Sequence, residues 1–512
     1  MSSNKHSSEL RRLALSVLQP GFVGTEAPDW ILRDIGDGLA SVVLFSRNIV
    51  STEQVAGLTA QLRSENPDLI VAIDEEAGDV TRIESATGSS RPGNFALGTV
   101  DDPALTEAVA ADLGRQLRAA GVSLDYAPSA DVNSNPDNPI IGVRSFGSDP
   151  EVVSRHTTAW IRGLQSSGVA ACAKHFPGHG DVAVDSHHDL PAYPAGRDEI
   201  AAQALPPFRA AVAAGVHAVM SGHLLVPAYD PDLPATLSRR ILHGLLREEL
   251  GFDGLVVSDA IEMGAVTRRY GIDGATVKAV GAGADAICVG GESAEEATVA
   301  LLVKALTAAV TGGELPEERL AEAAGRVREF ARWSAWLRAS GVAGEAGEAG
   351  EAAGDGIGHV AARRAVRLTG AARAALPLRA APHVVELAPV TNMAIGKETP
   401  WGVAEPLRER LPGTTSVRVR GQELEEGTVA LESCALEPAV GRPLVIVARD
   451  AARHAWMSRA VTGLTAARPD AIVVEMGLPG AGTAAAAQIF THGASAASGV
   501  AAAEALTDAS AL

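Results

Sequence analysis

Short runs rich in β-branched residues alternate with stretches of helical length between about residues 10 and 335. Strands that recur between helices must cross over and lie parallel, and an alternation of this length is typical of a (β/α)8 barrel. The sequence therefore predicts an α/β fold whose main part is a TIM-like barrel. The runs are SVVLF (41–45), LIVAID (69–74), VSLDYAP (122–128), VAACAKHF (169–176), VHAVMSGH (216–223), LVVSDAI (255–261) and ADAICVG (284–290).

Polar residues gather at or just beyond the carboxyl ends of these predicted strands. A single polar residue in such a place is often an ordinary strand-ending residue. In barrels of this kind, however, the carboxyl ends of the strands form the face that carries active sites, so the set predicts one site. Its members are Asp74 with Glu75 and Glu76, Asp131, Lys174 with His175, His223, and Asp259.

A low-complexity tract predicts where the barrel domain ends. Residues 340–358 read SGVAGEAGEAGEAAGDGIG, which has no apolar face and is typical of a flexible linker. We therefore predict a barrel domain over 1–339 and a smaller α/β sandwich over 359–512. Strands are expected in the sandwich at 383–389, 443–450 and 471–479, with a helix around 451–468. No phosphate loop, nucleophile elbow or ionisable cluster occurs there, so we expect no catalytic group beyond the linker.

Composition argues against several classes of protein. The formal net charge is −19 and no basic stripe is present, which argues against a nucleic-acid partner. No segment has the roughly 18 apolar residues of a membrane span, and Pro20 and Gly21 interrupt the short apolar patch near the start. A cytoplasmic location is the expectation.

The three cysteines lack metal or disulfide spacing, and Cys172 and Cys288 are predicted to be small core residues.

The segment KHFPGHGDVAVDSHHD, residues 174–189, concentrates four histidines and three aspartates around two glycines. A helical zinc motif needs two histidines on one helix face, whereas Phe-Pro-Gly separates His175 from His179 and forbids that helix. No nearby Cys or Glu completes a ligand set, so we expect no metal. Asp181 and Asp189 are interpreted as turn-capping residues.

The triplet Asp185-Ser-His187 favours proton transfer. Residues two apart in an extended chain face the same side, so the Asp185 carboxylate can bind one imidazole nitrogen of His187. An anionic neighbour favours the imidazolium and raises the histidine pKa, which suits a general acid near neutral pH. The triplet alone is frequent by chance.

The longer stretch KHFPGHGDVAVDSHHDLP resembles the signature of the bacterial β-N-acetylglucosaminidases of glycoside hydrolase family 3. Five further segments agree with the family in order and spacing, and the resemblance covers essentially residues 10–335. The remainder is similar only to the family's optional C-terminal α/β domain. The five segments are LFSRNI (44–49), AIDEEAGDVTRI (72–83), APSADVN (127–133), NPIIGVRSFGSDP (138–150) and FDGLVVSDAIEMGAV (252–266).

This resemblance implies a retaining, exo-acting β-N-acetylglucosaminidase that needs no cofactor. Asp259 matches the catalytic nucleophile, although an Asp in this setting often only caps the next helix. Asp185 and His187 match an acid/base dyad. The residues implied to hold or line the sugar are Asp74, Arg82, Arg144, Lys174, His175, Met220 and His223.

Alternatives stay open. A β-N-acetylglucosaminide phosphorylase shares the scaffold and the dyad, whereas a β-glucosidase of the family does not need the dyad. An inert sugar-binding barrel would lack Asp259 or His187. The chain also departs from the family, because Ala77, Gly78 and Asp79 stand where Gly-Gly-Arg is common. The sequence leaves both the natural substrate, muropeptide or chitooligosaccharide, and the choice between monomer and homodimer open.

Overall fold

The computed structural model describes residues 2–184, 186, 189–340, 356–390, 395–396, 399–480 and 487–508. These residues form two compact units. The first consists of Met1–Glu75, Thr106–Ile141 and Gly147–Gly350, and the second of Glu76–Leu105, Gly142–Phe146 and Glu351–Leu512. Most of the predicted linker lies outside the described residues. The predicted boundaries stay a prediction, and the second unit includes two segments that they assign to the barrel.

The described residues of the first unit contain ten strands. Eight of them form one parallel sheet in the order β1-β10-β9-β6-β5-β4-β3-β2, and β7 and β8 form a separate antiparallel ribbon. Ser41 Oγ of β2 donates to Leu18 O of β1 at 3.2 Å, which joins the two ends of that order and gives the predicted barrel. The strands are β1 Leu18–Pro20, β2 Ser41–Leu44, β3 Ile70–Ile73, β4 Leu124–Asp125, β5 Ala170–Phe176, β6 Ala218–Ser221, β7 Leu225–Val226, β8 Asp230–Pro234, β9 Leu255–Ser258 and β10 Ala286–Val289.

Alternate residues of the barrel strands fill its interior. Because successive strand side chains point to opposite faces, positions two apart enter the same layer. The inward set includes Ile70 and Ala72, Ala170 and Cys172, Ala218 and Met220, Leu255 and Val257, and Ala286 and Cys288. The prediction that Cys172 and Cys288 are core residues is confirmed, and burial raises the pKa of both thiols.

Helices connect the strands as the alternation predicts. Several begin with a side-chain cap, as where Ser51 Oγ accepts from Gln54 N at 3.2 Å and starts α3. No helix within the described ranges has the length and apolar character needed to cross a membrane. A π-helical segment occupies Arg240–Glu249. The helices are α1 Ser2–Ser16, α2 Asp29–Asp37, α3 Thr52–Glu65, α4 Asn94–Val100, α5 Pro103–Ala119, α6 Pro150–Ser166, α7 Arg197–Gln203, α8 Pro206–Ala213, α9 Gly264–Ala282, α10 Glu296–Thr311 and α11 Glu317–Ala339.

A six-stranded sheet forms the centre of the second unit, with strand order β11-β16-β15-β14-β12-β13. All neighbouring strands are parallel except β11 and β16. The strands predicted at 383–389, 443–450 and 471–479 correspond to β12, β14 and β15. The elements are α12 Ile357–Ala365, β11 Arg367–Leu368, α13 Gly370–Ala375, β12 His383–Ala388, α14 Ala404–Arg410, β13 Thr415–Arg420, α15 Gly421–Glu425, β14 Leu444–Ala448, α16 Ala455–Ala467, β15 Ile472–Glu475, β16 Ala487–Phe490 and α17 Ala496–Thr507.

Each face of this sheet packs into its own hydrophobic cluster. Val384 and Val445 belong to a cluster with Leu506 of α17, while Val385 and Ile446 belong to one that contains Leu464 of α16. Neighbouring residues of one strand thus enter opposite clusters, as the two-residue strand period requires. The result is a sheet between two helical layers, which confirms the predicted α/β sandwich.

Candidate active site

The carboxyl ends of β3, β5, β6 and β9 carry most of the predicted site residues of the first unit. Asp74 directly follows β3, Lys174 lies near the end of β5, and Asp259 directly follows β9. Parallel barrel strands end on one face, so these side chains lie at the same end of the barrel. Six of the ten predicted residues share this placement: Asp74, Lys174, His175, Met220, His223 and Asp259.

Lys174 and Asp74 form an ion pair across the ends of β5 and β3. The Lys174 side chain is only 2% exposed, whereas 22% of Asp74 is exposed. A buried ammonium needs a close anionic partner, and Asp74 supplies it while part of the carboxylate faces solvent. Such an arrangement can hold a sugar hydroxyl between an acceptor and a fixed positive charge.

His175 is oriented by Asp131, a buried carboxylate that follows β4. His175 Nδ1 lies 2.7 Å from Asp131 Oδ2, and Asp131 Oδ1 accepts from the backbone N of His179 at 2.7 Å. Burial alone would raise the pKa of Asp131, but the electrostatic attraction and hydrogen bonds from His175 and His179 together lower that pKa. Because the carboxylate only accepts, His175 Nδ1 carries a proton. The sequence placed Asp131 at a strand end without predicting this role.

His179 connects the beginning of the loop after β5 with its later part. Its Nε2 lies 3.2 Å from Ser186 Oγ, and Ser186 O accepts from Ala265 N at 3.2 Å. Burial, with repulsion from His175, lowers the pKa of His179 to about 4, so its ring is neutral near pH 7. Among the described residues, His179 Nδ1 has no hydrogen-bond partner.

The predicted acid/base residues flank Ser186 in the chain. Asp185 and His187 lie outside the described residues, as does His188. Their roles stay predictions from the sequence.

Asp259 is held by the backbone around it. Its backbone N donates to Ser221 O at 3.1 Å, and its Oδ1 accepts from Ala260 N at 2.8 Å. The residue is half-buried. Helix α9 begins only at Gly264, with Met263 at its cap position, so Asp259 does not cap that helix. The strand-end placement therefore fits a reactive carboxylate better than a structural cap.

His223 fixes the backbone beside Asp259. Its Nε2 donates to Ala260 O at 3.0 Å, and its Nδ1 lies 2.9 Å from Thr236 Oγ1. The ring is fully buried. Met220, by contrast, belongs to the barrel core and is 4% exposed. The predicted sugar-lining roles of Met220 and His223 stay predictions.

Arg144 and Arg82 belong to the second unit. Arg144 makes a bidentate ion pair with Glu76, in which Nε to Oε2 is 2.9 Å and Nη2 to Oε1 is 2.6 Å. Both side chains are buried, and Arg144 O accepts from Asn94 Nδ2 at 2.7 Å. Arg82 is also buried, at 7% exposure. No local sequence pattern indicates the Glu76–Arg144 pair, because 68 positions separate the partners.

Comparison with known protein families matches residues 25–330 to the glycosyl hydrolase family 3 N-terminal domain. Beta-hexosaminidase A of Pseudoalteromonas piscicida is 36% identical over 305 residues, which cover 55% of this chain but only 49% of that protein. Beta-hexosaminidase of Stenotrophomonas maltophilia (strain K279a) is 38% identical over 279 residues, covering 52% of this chain and 82% of that protein.

A solved structure resembles nearly the whole chain. It is described as a glycoside hydrolase family 3 beta-N-acetylglucosaminidase from Paenibacillus sp. str. FPU-7. The two share 31% sequence identity with a TM-score of 0.79, and the match covers 97% of this chain and 96% of that one. The similarity thus extends beyond the barrel to the α/β sandwich.

Proposed function

This chain belongs to glycosyl hydrolase family 3 and is a glycoside hydrolase, and from that premise we propose a retaining, exo-acting β-N-acetylglucosaminidase. It removes terminal N-acetylglucosamine from β-glycosides, with muropeptides or chitooligosaccharides as substrates. The observation that carries the proposal is the half-buried Asp259 at the end of β9, on the barrel face that also holds the Lys174–Asp74 ion pair. A cytoplasmic location stays a prediction.

The proposed reaction has two steps. Asp259 attacks the anomeric carbon while His187 protonates the departing glycosidic oxygen, which gives a covalent glycosyl-enzyme. His187 then removes a proton from the incoming water, which attacks the same carbon and releases Asp259. Two inversions give net retention. Asp185 supports the imidazolium form of His187 in the first step.

Substrate binding is assigned to the polar groups around the nucleophile. Asp74 with Lys174, and His175 with its Asp131 partner, present polar groups in fixed positions. Such groups convert binding energy from remote hydroxyls into orientation of the anomeric carbon. Arg82 and Arg144 are proposed to bind further hydroxyls. No step requires a metal or a cofactor.

Phosphorolysis is the alternative to hydrolysis on the same site. A histidine acid/base does not repel an anionic nucleophile as a carboxylate would, so phosphate could replace water in the second step. A product assay with and without phosphate distinguishes sugar 1-phosphate from free sugar. We propose mainly hydrolysis.

The test is turnover of an aryl β-N-acetylglucosaminide and the corresponding β-glucoside, measured side by side. Faster cleavage of the N-acetylglucosaminide is expected. Asp259→Ala should lower kcat by at least about a thousandfold, the scale on which covalent catalysis fails. Asp253→Ala is the control, because Asp253 is an exposed carboxylate two residues before β9. Near-normal turnover by Asp259→Ala would show that Asp259 is not the nucleophile.

A further inference from the structure

The segment Glu76–Leu105, which directly follows β3 in the chain, packs within the second unit. Ser89 O accepts from Ala497 N at 3.1 Å, and Asp102 Oδ2 accepts from Arg364 Nη1 at 2.8 Å. A Cβ added to Gly358 would approach Ser90 O to 2.3 Å, so α12 lies directly against this segment. Residues 76–105 are therefore fixed to the chain beyond the linker at several points.

Residues 76–105 contact the six-stranded sheet of the second unit at an edge where sheets of this type commonly bind ligands. The strand order reverses between β12 and β14, because β13 lies outside β12 while β15 and β16 lie beyond β14. In open parallel α/β sheets, ligands bind at the carboxyl ends of the strands beside such a reversal. Arg449 directly follows β14 at this edge. Its anionic partner here is Asp79 of the same chain.

Both carboxylate oxygens of Asp79 have partners in the second unit. Arg449 Nη2 lies 2.5 Å from Asp79 Oδ2, and Ala494 N donates to Asp79 Oδ1 at 2.7 Å. The Arg449 and Asp79 side chains are 5% and 3% exposed. Breaking a buried pair by removing one partner leaves an uncompensated charge, so this contact resists separation.

A tight turn connects Asp79 with Glu76, the partner of Arg144. Glu76 N donates to Val80 O at 3.0 Å, which closes the turn around Asp79. Ala77 and Gly78 both have left-handed backbone, with φ of 58° and 59°. The position of Asp79 therefore fixes the backbone of Glu76.

We propose that Asp79 and Arg449 are positioning residues for substrate binding. Their ion pair holds the segment that carries Arg82 and Glu76, the partner of Arg144, so the C-terminal sheet sets sugar affinity without supplying a catalytic group. This inference rests on the proposed function, which assigns Arg82 and Arg144 to sugar hydroxyls. Substrate affinity, rather than the chemical step, is the quantity that Asp79 and Arg449 control.

The experiment compares full-length variants with an aryl β-N-acetylglucosaminide as substrate. Arg449→Ala is expected to raise KM by about tenfold or more and to change kcat by less than about threefold. The reason is that the lost binding energy stabilises the bound substrate and the transition state equally. Arg449→Lys keeps the charge and should recover part of the loss. Hydrogen exchange of residues 76–93 is measured in parallel, and it should accelerate in Arg449→Ala.

Arg418→Ala is the matched control in the same sheet. Arg418 Nη2 lies 2.6 Å from the buried Glu386 Oε2, and the two residues are paired within the neighbouring strands β13 and β12. Its loss should destabilise the sheet while KM and the exchange of residues 76–93 stay unchanged. Equal KM in Arg449→Ala and Arg418→Ala would overturn the inference.

Two further outcomes are distinguishable. If wild-type enzyme cleaves no N-acetylglucosaminide, the proposed function fails, and the exchange data still decide whether Arg449 fixes the segment. If Arg449→Ala does not fold, Asp79→Asn and Arg449→Lys carry the test. Both keep polar groups in place, and normal KM with normal exchange in both would overturn the inference.

Discussion

Asp131 illustrates how one buried carboxylate arranges several residues of the site. It binds the His175 ring and accepts from the backbone N of both His175 and His179, at 3.2 and 2.7 Å. The sequence predicted polar residues at this edge because strand ends can be located from β-branched runs. It did not predict the partners, because backbone donors are common to all residues and leave no sequence pattern.

The loss of His187 tests its proposed acid/base role. If His187 protonates the leaving oxygen, its loss matters in proportion to the protonation that the leaving group needs. His187→Ala should therefore slow disaccharide cleavage far more than formation of the glycosyl-enzyme from a dinitrophenyl glycoside. Pre-steady-state kinetics with both substrates measure the difference. The variant should also accumulate glycosyl-enzyme, detected by mass spectrometry, and azide should accelerate its turnover. Equal losses on both substrates without azide rescue would assign the acid/base role to another residue.

His179 gives a prediction about pH and stability. Its folded pKa of about 4 lies below the ordinary value of 6.5, so between these values the unfolded chain binds more protons. The free energy of unfolding should therefore fall as pH drops from 6.5 towards 4, by up to about 3 kcal/mol from this residue. His179→Gln should weaken that dependence, whereas the exposed His6→Gln should not. Denaturant unfolding across this pH range measures it, and an unchanged slope in His179→Gln would contradict the prediction.

In the second unit, the sequence predicted the buried strands better than the exposed edge strand. The second-unit strands β12, β14 and β15 are mostly apolar and buried along almost their whole length, and all three were predicted. β13, TSVRVR, was missed because it lies at the sheet edge and most of its residues are not buried. Apolar continuity is the signal of a strand that is covered on both faces, and an edge strand lacks it.

The close packing of helices α5 and α6 depends on Gly163. A Cβ on Gly163 of α6 would approach Glu107 O of α5 to 2.1 Å. Gly163→Ala should therefore force these helices apart and lower the free energy of unfolding by about 1–3 kcal/mol. Gly57→Ala is the control, because no atom of the described part of the chain lies within 4 Å of a Cβ added there in α3, and alanine should stabilise that helix by about 0.5–1 kcal/mol. Chemical denaturation of both variants tests the pair, and equal effects would refute this account of the packing.

Composition and packing divide the chain into domains differently. The Gly/Ala/Glu tract indicates where the chain lacks an apolar face, and it predicts a contiguous barrel domain before residue 340. Packing instead groups Glu76–Leu105 and Gly142–Phe146 with the chain beyond the tract. Contacts such as Asp79–Arg449 join residues 370 positions apart, so no local pattern reveals them. The chain passes from the first unit into the second and back again, and the sequence contains no composition change that marks these crossings.

This grouping changes what truncation should do. The absence of catalytic motifs beyond the linker predicts that a chain ending near Gly344 keeps every assigned site residue. Such a chain, however, lacks Arg449 and Ala494, so both Asp79 carboxylate oxygens lose their partners. We expect the truncated protein to show a kcat/KM at least about tenfold below that of the full chain, with faster hydrogen exchange over residues 76–93.

A full-length chain cut at a protease site placed within residues 341–355 is the matched control. It retains every residue of the second unit, so its Asp79–Arg449 pair persists and both its kcat/KM and its exchange should match those of the uncut chain. A folded truncated protein with the kcat/KM and exchange of the full chain would contradict the prediction, because residues 76–105 would then hold their conformation without the C-terminal sheet.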